Sequence, residues 1–104
     1  MQRGEVWWAN LPSPFGRRPV VLISRDRAIR VRNSVTVAQL TSTQRNLHTE
    51  VRVGQEDGLP KECVINCDTI HTIHKSLLSN RITLLSQSKR EALNYALRFA
   101  LDLL

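Results

Sequence analysis

Hydrophobic periodicity changes only once along this chain, and late. Between residues 5 and 85 the apolar residues fall in short runs rich in β-branched and aromatic side chains, broken by proline, glycine and polar stretches. From residue 88 onward they recur every three or four positions. Short runs of the first kind suit strands, and the second pattern suits an amphipathic helix. The chain is therefore predicted to be α+β and mainly β, with short strands followed by one C-terminal helix.

Residues 5–11 (Glu-Val-Trp-Trp-Ala-Asn-Leu) read as a strand, and 12–16 as a loop with two prolines and a glycine. Residues 19–24 (Pro-Val-Val-Leu-Ile-Ser) are apolar without alternation, which predicts a strand buried on both faces, with Pro19 at its start. Residues 25–33 read as a charged connector, 34–40 as a third strand, and 41–47 as a polar loop. Residues 49–53 form a fourth strand, and 55–60 carry turn residues. Further short strands are expected at 62–66, 69–73 and 81–85. Alternation along residues 5–11 puts one of Trp7 and Trp8 inward and the other outward.

At the C-terminal end, Ser88-Lys89-Arg90-Glu91 matches a capping box. Ala92, Leu93, Ala96, Leu97, Ala100, Leu101 and Leu104 then make one apolar row, and Tyr95, Phe99 and Leu103 a second. Two destinations fit the second row: a contact with another subunit, or burial within the chain.

The 104 residues suffice for one domain, whose thin core a partner subunit could complete. Lys+Arg number 15 against 9 Asp+Glu, a net charge of +6. Twelve of those cations are arginine, whose forked donors fit phosphate oxygens. Arg17, Arg18, Arg25, Arg27, Arg30 and Arg32 crowd one stretch in which Asp26 alone carries the opposite sign, and this predicts a phosphate-backbone footprint. Neither a secretion signal nor an apolar run of ~18 residues is found, and the two cysteines fit reduced thiols, so the protein is expected in the cytoplasm and not in a membrane.

Phosphate-binding glycine loops, nucleophile elbows, zinc-protease helices and zinc-finger spacings are all missing. Cys63, Cys67, His71 and His74 would share a helix face and could hold zinc there. Their β-branched surroundings favour strands, which would scatter them, so no metal is expected. Gly16-Arg17-Arg18-Pro19 is more informative. It sets a guanidinium at the mouth of a buried strand, and Pro19 restrains Arg18 to an extended conformation. Thr41-Ser42-Thr43 closes the third strand with three hydroxyls. If the second and third strands are antiparallel neighbours, Arg18 and Thr41 meet at one end of the sheet.

The blocks Arg3-Gly4-Glu5-Val6-Trp7-Trp8, Arg18-Pro19-Val20-Val21-Leu22-Ile23-Ser24, Leu40-Thr41-Ser42-Thr43, Gly58-Leu59-Pro60 and Val64-Ile65-Asn66-Cys67-Asp68, followed by Ile70-His71-Thr72-Ile73, resemble the MazF/PemK family of toxin–antitoxin ribonucleases. They run in family order over nearly the whole chain. The resemblance implies a small SH3-like (MazF/CcdB-type) barrel of short, mostly antiparallel strands with a C-terminal helix. It also implies a homodimer, a cognate acidic antitoxin whose tail covers the RNA groove, and cleavage of single-stranded RNA without a cofactor. By the same resemblance Arg18 and Thr41 are catalytic; Arg17, Ser42, Thr43 and His71 are the candidate RNA-contacting residues read from the sequence beside them. Two departures stand out: the loop before Arg18 lacks the acidic residue many members carry, and His71 and His74 replace a usual Arg and Asp. Alternatives from other classes are a related toxin that poisons DNA gyrase by binding and a nucleic-acid-binding barrel without catalysis.

Overall fold

The β-branched runs form strands because each has one or both faces buried. The computed structural model describes residues 1–103, so Leu104, the end of the predicted helical row, lies outside the described residues. Its elements are β1 (Glu5–Leu11), β2 (Gly16–Leu22), α1 (Asp26–Val31), β3 (Ser34–Thr41), β4 (Glu50–Val53), β5 (Cys63–His74), β6 (Leu78–Leu84) and α2 (Gln87–Ala100). The strands make one six-stranded sheet in the order β4-β5-β3-β2-β1-β6, and every pairing is antiparallel. The sheet curls into a half-barrel. Gly58, with φ +93, turns the chain after β4, and a Cβ there would stand 2.6 Å from the Thr83 hydroxyl of β6. The connection that follows one edge strand thus packs on the other.

Side-chain alternation divides the interior in two. Val20 and Leu22 of β2, with Val35 and Val37 of β3, join Ile29 of α1 on one face. Val21, Ala38 and Leu40 point the other way, toward Leu93 and Ala96 of α2. Val20, Val21 and Leu22 are fully buried, as expected of a strand covered on both sides.

Several boundaries differ from expectation, each for a local reason. β2 begins at Gly16, and Pro19 lies inside it. Its ladder with β3 starts only at Val20, so the missing N–H of Pro19 breaks no bond between those strands. The charged connector contains a helix, α1, because Ala28 and Ile29 supply an apolar stripe that the flanking arginines hide in sequence. The two strands expected at 62–66 and 69–73 are one. Ala38 pairs with Ile70 but Gln39 with Asn66, which leaves Cys67, Asp68 and Thr69 as a bulge. The Thr49 hydroxyl holds that bulge by donating to Asp68 (2.6 Å), and the Cys67 amide donates to the Thr49 carbonyl (2.9 Å).

The α2 cap is Ser86, not Ser88. Its hydroxyl accepts from the Lys89 amide, and Lys89 sits where a capping box needs an acid. In the first row Leu93 and Ala96 are buried, while Ala92 and Leu101 are exposed. Tyr95, Phe99 and Leu103 are each more than half exposed, so the second row is not buried within the chain. Among the described residues no helix is long and apolar enough to cross a membrane.

Candidate nucleic-acid groove

β2 and β3 are antiparallel, so the start of one lies beside the end of the other. Val20 pairs with Gln39. Two further steps along that register set Arg18 against Thr41, where the strands have parted and the ladder has stopped. The gap is the mouth of a groove of about 270 Å³. Arg17, Arg18 and Pro19 form one wall and Leu40, Thr41 and Ser42 the other; Leu59, Pro60, Lys61 and Cys63 close it, with Trp8 at its edge.

Arg18 is half-buried and anchored twice. Its Nε donates to the Phe15 carbonyl (3.2 Å) and its Nη1 to Gln39 Oε1 (3.1 Å). A guanidinium has five N–H donors. Both on Nη2 and one on Nη1 are left without a partner among the described residues. Thr41 Oγ1 accepts from the Thr43 amide (3.3 Å), which leaves its own O–H to donate. Arg17 stacks on Trp8, with the guanidinium 4.2 Å from the ring centroid. The groove thus carries three cations (Arg17, Arg18 and Lys61), two hydroxyls and an aromatic face.

The remaining predicted residues divide. Ser42 lines the groove, whereas Thr43 meets it only through the backbone bond to Thr41. His71 lies outside it, in a separate hollow with Leu11, Pro12, Ser13 and Phe15. The arginine-rich stretch is split as well: Arg17 and Arg18 reach the groove, while Arg25 and Arg32 border another hollow beside α1. Trp7 packs on the face shared with α1, and Trp8 faces the groove, as alternation requires.

Cys63, Cys67, His71 and His74 follow one another along β5, where four residues span about 13 Å. Burial pushes the Cys63 thiol up, with Glu62 adding to it, and burial followed by Asp68 pushes Cys67 up to about 12. Cys63 therefore borders the groove as a neutral thiol. Among the described residues no three His, Cys, Asp or Glu side chains gather as metal ligands.

Gln39 and Lys61 are the site residues that sequence reasoning missed. Gln39 had a signal: it is the amide in an otherwise apolar half-strand, and it is 3 % exposed.

The chain matches the family described as PemK-like, MazF-like toxin of type II toxin-antitoxin system over residues 2–101. It is 38 % identical over 101 residues to a probable endoribonuclease MazF5 of Mycobacterium tuberculosis, covering 96 % of this chain and 92 % of that one. It is 39 % identical over 90 residues to a probable endoribonuclease MazF2 of the same species, covering 86 % of each. Among solved structures, the Mycobacterium tuberculosis toxin MazF-mt6 superposes with a TM-score of 0.87 at 35 % identity, over 95 % of this chain and 97 % of that one. An endoribonuclease in complex with its cognate antitoxin, from a mycobacterial species, superposes with a TM-score of 0.89 at 29 % identity, over 100 % and 97 %.

Proposed function

Because the chain belongs to the family of PemK-like, MazF-like toxins of type II toxin–antitoxin systems, we propose that it is an endoribonuclease whose groove cuts single-stranded RNA. The observation that carries this reading is the placement of Arg18 and Thr41 on facing walls of one groove, each with donors to spare. The relatives are named endoribonucleases, and this disfavours the gyrase-poisoning and non-catalytic alternatives.

RNA brings its own nucleophile. The 2′-oxygen attacks the adjacent phosphorus as its proton leaves, and the bond to the 5′-oxygen breaks. The products are a 2′,3′-cyclic phosphate and a 5′-hydroxyl. Such a reaction asks the protein to align the strand and to neutralise charge that grows on the non-bridging oxygens. The Nη donors of Arg18 fit that second task, and its permanent charge makes it unsuited to take a proton. The Thr41 hydroxyl donates to a non-bridging oxygen from the opposite wall. Arg17 and Ser42 hold flanking phosphates, and Thr43 keeps the Thr41 hydroxyl turned. Trp8 offers a face on which a base can stack.

A cognate antitoxin with an acidic segment fits the cationic groove and would exclude RNA from it. The exposed row of Tyr95, Phe99 and Leu103 fits a homodimer, and a cytoplasmic location fits action on cellular RNA. The test is cleavage of a long RNA in EDTA by wild type and Arg18→Ala, with cut sites mapped by primer extension. Arg18→Ala should cut at least about 10²-fold more slowly and should no longer arrest growth when expressed without antitoxin. An Arg18→Ala protein that cuts like wild type refutes the site.

A further inference from the structure

Gln39 joins two groups that the groove chemistry leaves apart. Its side chain is 3 % exposed and lies on the sheet face that carries Val35 and Val37. By register it is the diagonal neighbour of both Arg18, since Val20 pairs with Gln39, and His71, since Val37 pairs with His71. Arg18 Nη1 donates to its Oε1 (3.1 Å), and its Nε2 lies 2.6 Å from His71 Nε2. We propose that Gln39 is a positioning residue that fixes Arg18 for catalysis, and that its bond to His71 makes this grip fail when the imidazole is protonated. The proposal rests on the RNA-cleaving reading above.

The polarity of the chain is forced from one end. Arginine donates and never accepts, so the amide oxygen must face Arg18 and the amide N–H₂ must face His71. His71 Nε2 must then accept, which requires a neutral ring with its proton on Nδ1. Protonation turns Nε2 into a donor, and donor meets donor. Turning the amide over satisfies the imidazolium but points N–H₂ at Arg18. With Oε1 on Arg18 and Nε2 on His71, as the side chain stands, both bonds cannot be kept once His71 carries two protons.

The charged group facing His71 is the Arg18 guanidinium, across Gln39. Val37 and Gln39 of β3 and Ser13 and Phe15 of the preceding turn bring no charge to it. Phe15 adds a second link. Its ring meets the imidazole edge-on at 4.9 Å, and its carbonyl is the other anchor of Arg18. Displacement of His71 therefore disturbs both anchors.

The wild-type kcat for RNA cleavage should fall in acid as His71 takes its second proton, with KM changed less. His71→Gln places an amide oxygen where Nε2 accepts and cannot be protonated. Its pH profile of kcat should lack the acid fall. Gln39→Leu should lower kcat on the order of 10- to 100-fold and flatten the same limb. An acid limb unchanged in His71→Gln, or wild-type kcat in Gln39→Leu, overturns the proposal. A readout without substrate separates this from failure of the ribonuclease reading. In RNA-free wild-type protein the Gln39 side-chain amide resonances should titrate together with the His71 ring, and resonances that stay fixed through that titration overturn the proposal even if no RNA is cut.

Discussion

Single side chains decide the chemistry, and each makes a separable prediction. Thr41→Val removes one donor to the phosphate and should cost about 10²-fold in kcat. Thr41→Ser keeps the hydroxyl and should retain most activity; single-turnover cleavage of a mapped RNA distinguishes the two. Cys63 and Cys67 are buried, and both thiols are pushed up. Cys67 should not react with a thiol reagent at neutral pH until the protein is unfolded, and its rapid labelling in native protein would show an open core; Cys63, at the groove wall, should react only slowly because its thiol is neutral. At this scale the sequence was legible where strand order could be inferred. Arg18 before one apolar run and Thr41 after the next meet once those runs are antiparallel neighbours, and they are. The role of Gln39 was not legible. It depends on a diagonal contact to His71, and the bulge at residues 67–69 decides which residues of β5 stand beside it.

At the level of elements, α1 shows why a charged stretch can conceal a helix. Four exposed arginines, two of them on α1 and two just beyond its ends, surround a stripe of only two residues, Ala28 and Ile29, which is too short to register as a period. Ile29 is 1 % exposed, so Ile29→Ala should destabilise the fold by about 2–5 kcal/mol in urea or thermal unfolding. β1 is tied to β6 through Glu5. Burial acts to raise the Glu5 pKa, but bonds from the Trp7 indole, Arg81 and the Gln2 amide prevail and hold it below the ordinary value of 4.5. A carboxylate held low in the folded state stabilises above its unfolded pKa, and that contribution fades as pH falls through the folded one. Glu5→Gln should therefore lower the melting temperature at pH 7, with a cost of about 1–2 kcal/mol. Its deficit from wild type should shrink toward pH 3, and a constant deficit across that range would assign the effect to shape instead. The strand-rich body and the terminal helix were readable from periodicity. The single bulged β5 and the Ser86 cap were not, because a bulge and a cap are set by tertiary partners.

On the scale of the whole molecule, two surfaces remain open once the core is closed. One is the cationic groove; the other is the row of Tyr95 and Phe99 on α2 with Leu103 just beyond its end, where the Phe99 ring lies tilted against His48 at 5.2 Å. If the row is a subunit seam, Tyr95→Glu combined with Phe99→Glu should convert a dimer to a monomer by light scattering without loss of helical circular dichroism. A wild-type monomer at micromolar concentration contradicts the seam. The groove carries the central claim, that a guanidinium and a hydroxyl act on one phosphodiester whose own 2′-oxygen is the nucleophile. The most direct measurement compares an RNA oligonucleotide spanning a mapped cut site with the same strand carrying one 2′-deoxy sugar on the 5′ side of the scissile phosphate. The all-RNA strand should be cut to a 5′-hydroxyl product and a 2′,3′-cyclic phosphate, and the substituted strand should bind but stay whole. Cleavage of the substituted strand, or a product with a 5′-phosphate, would contradict it.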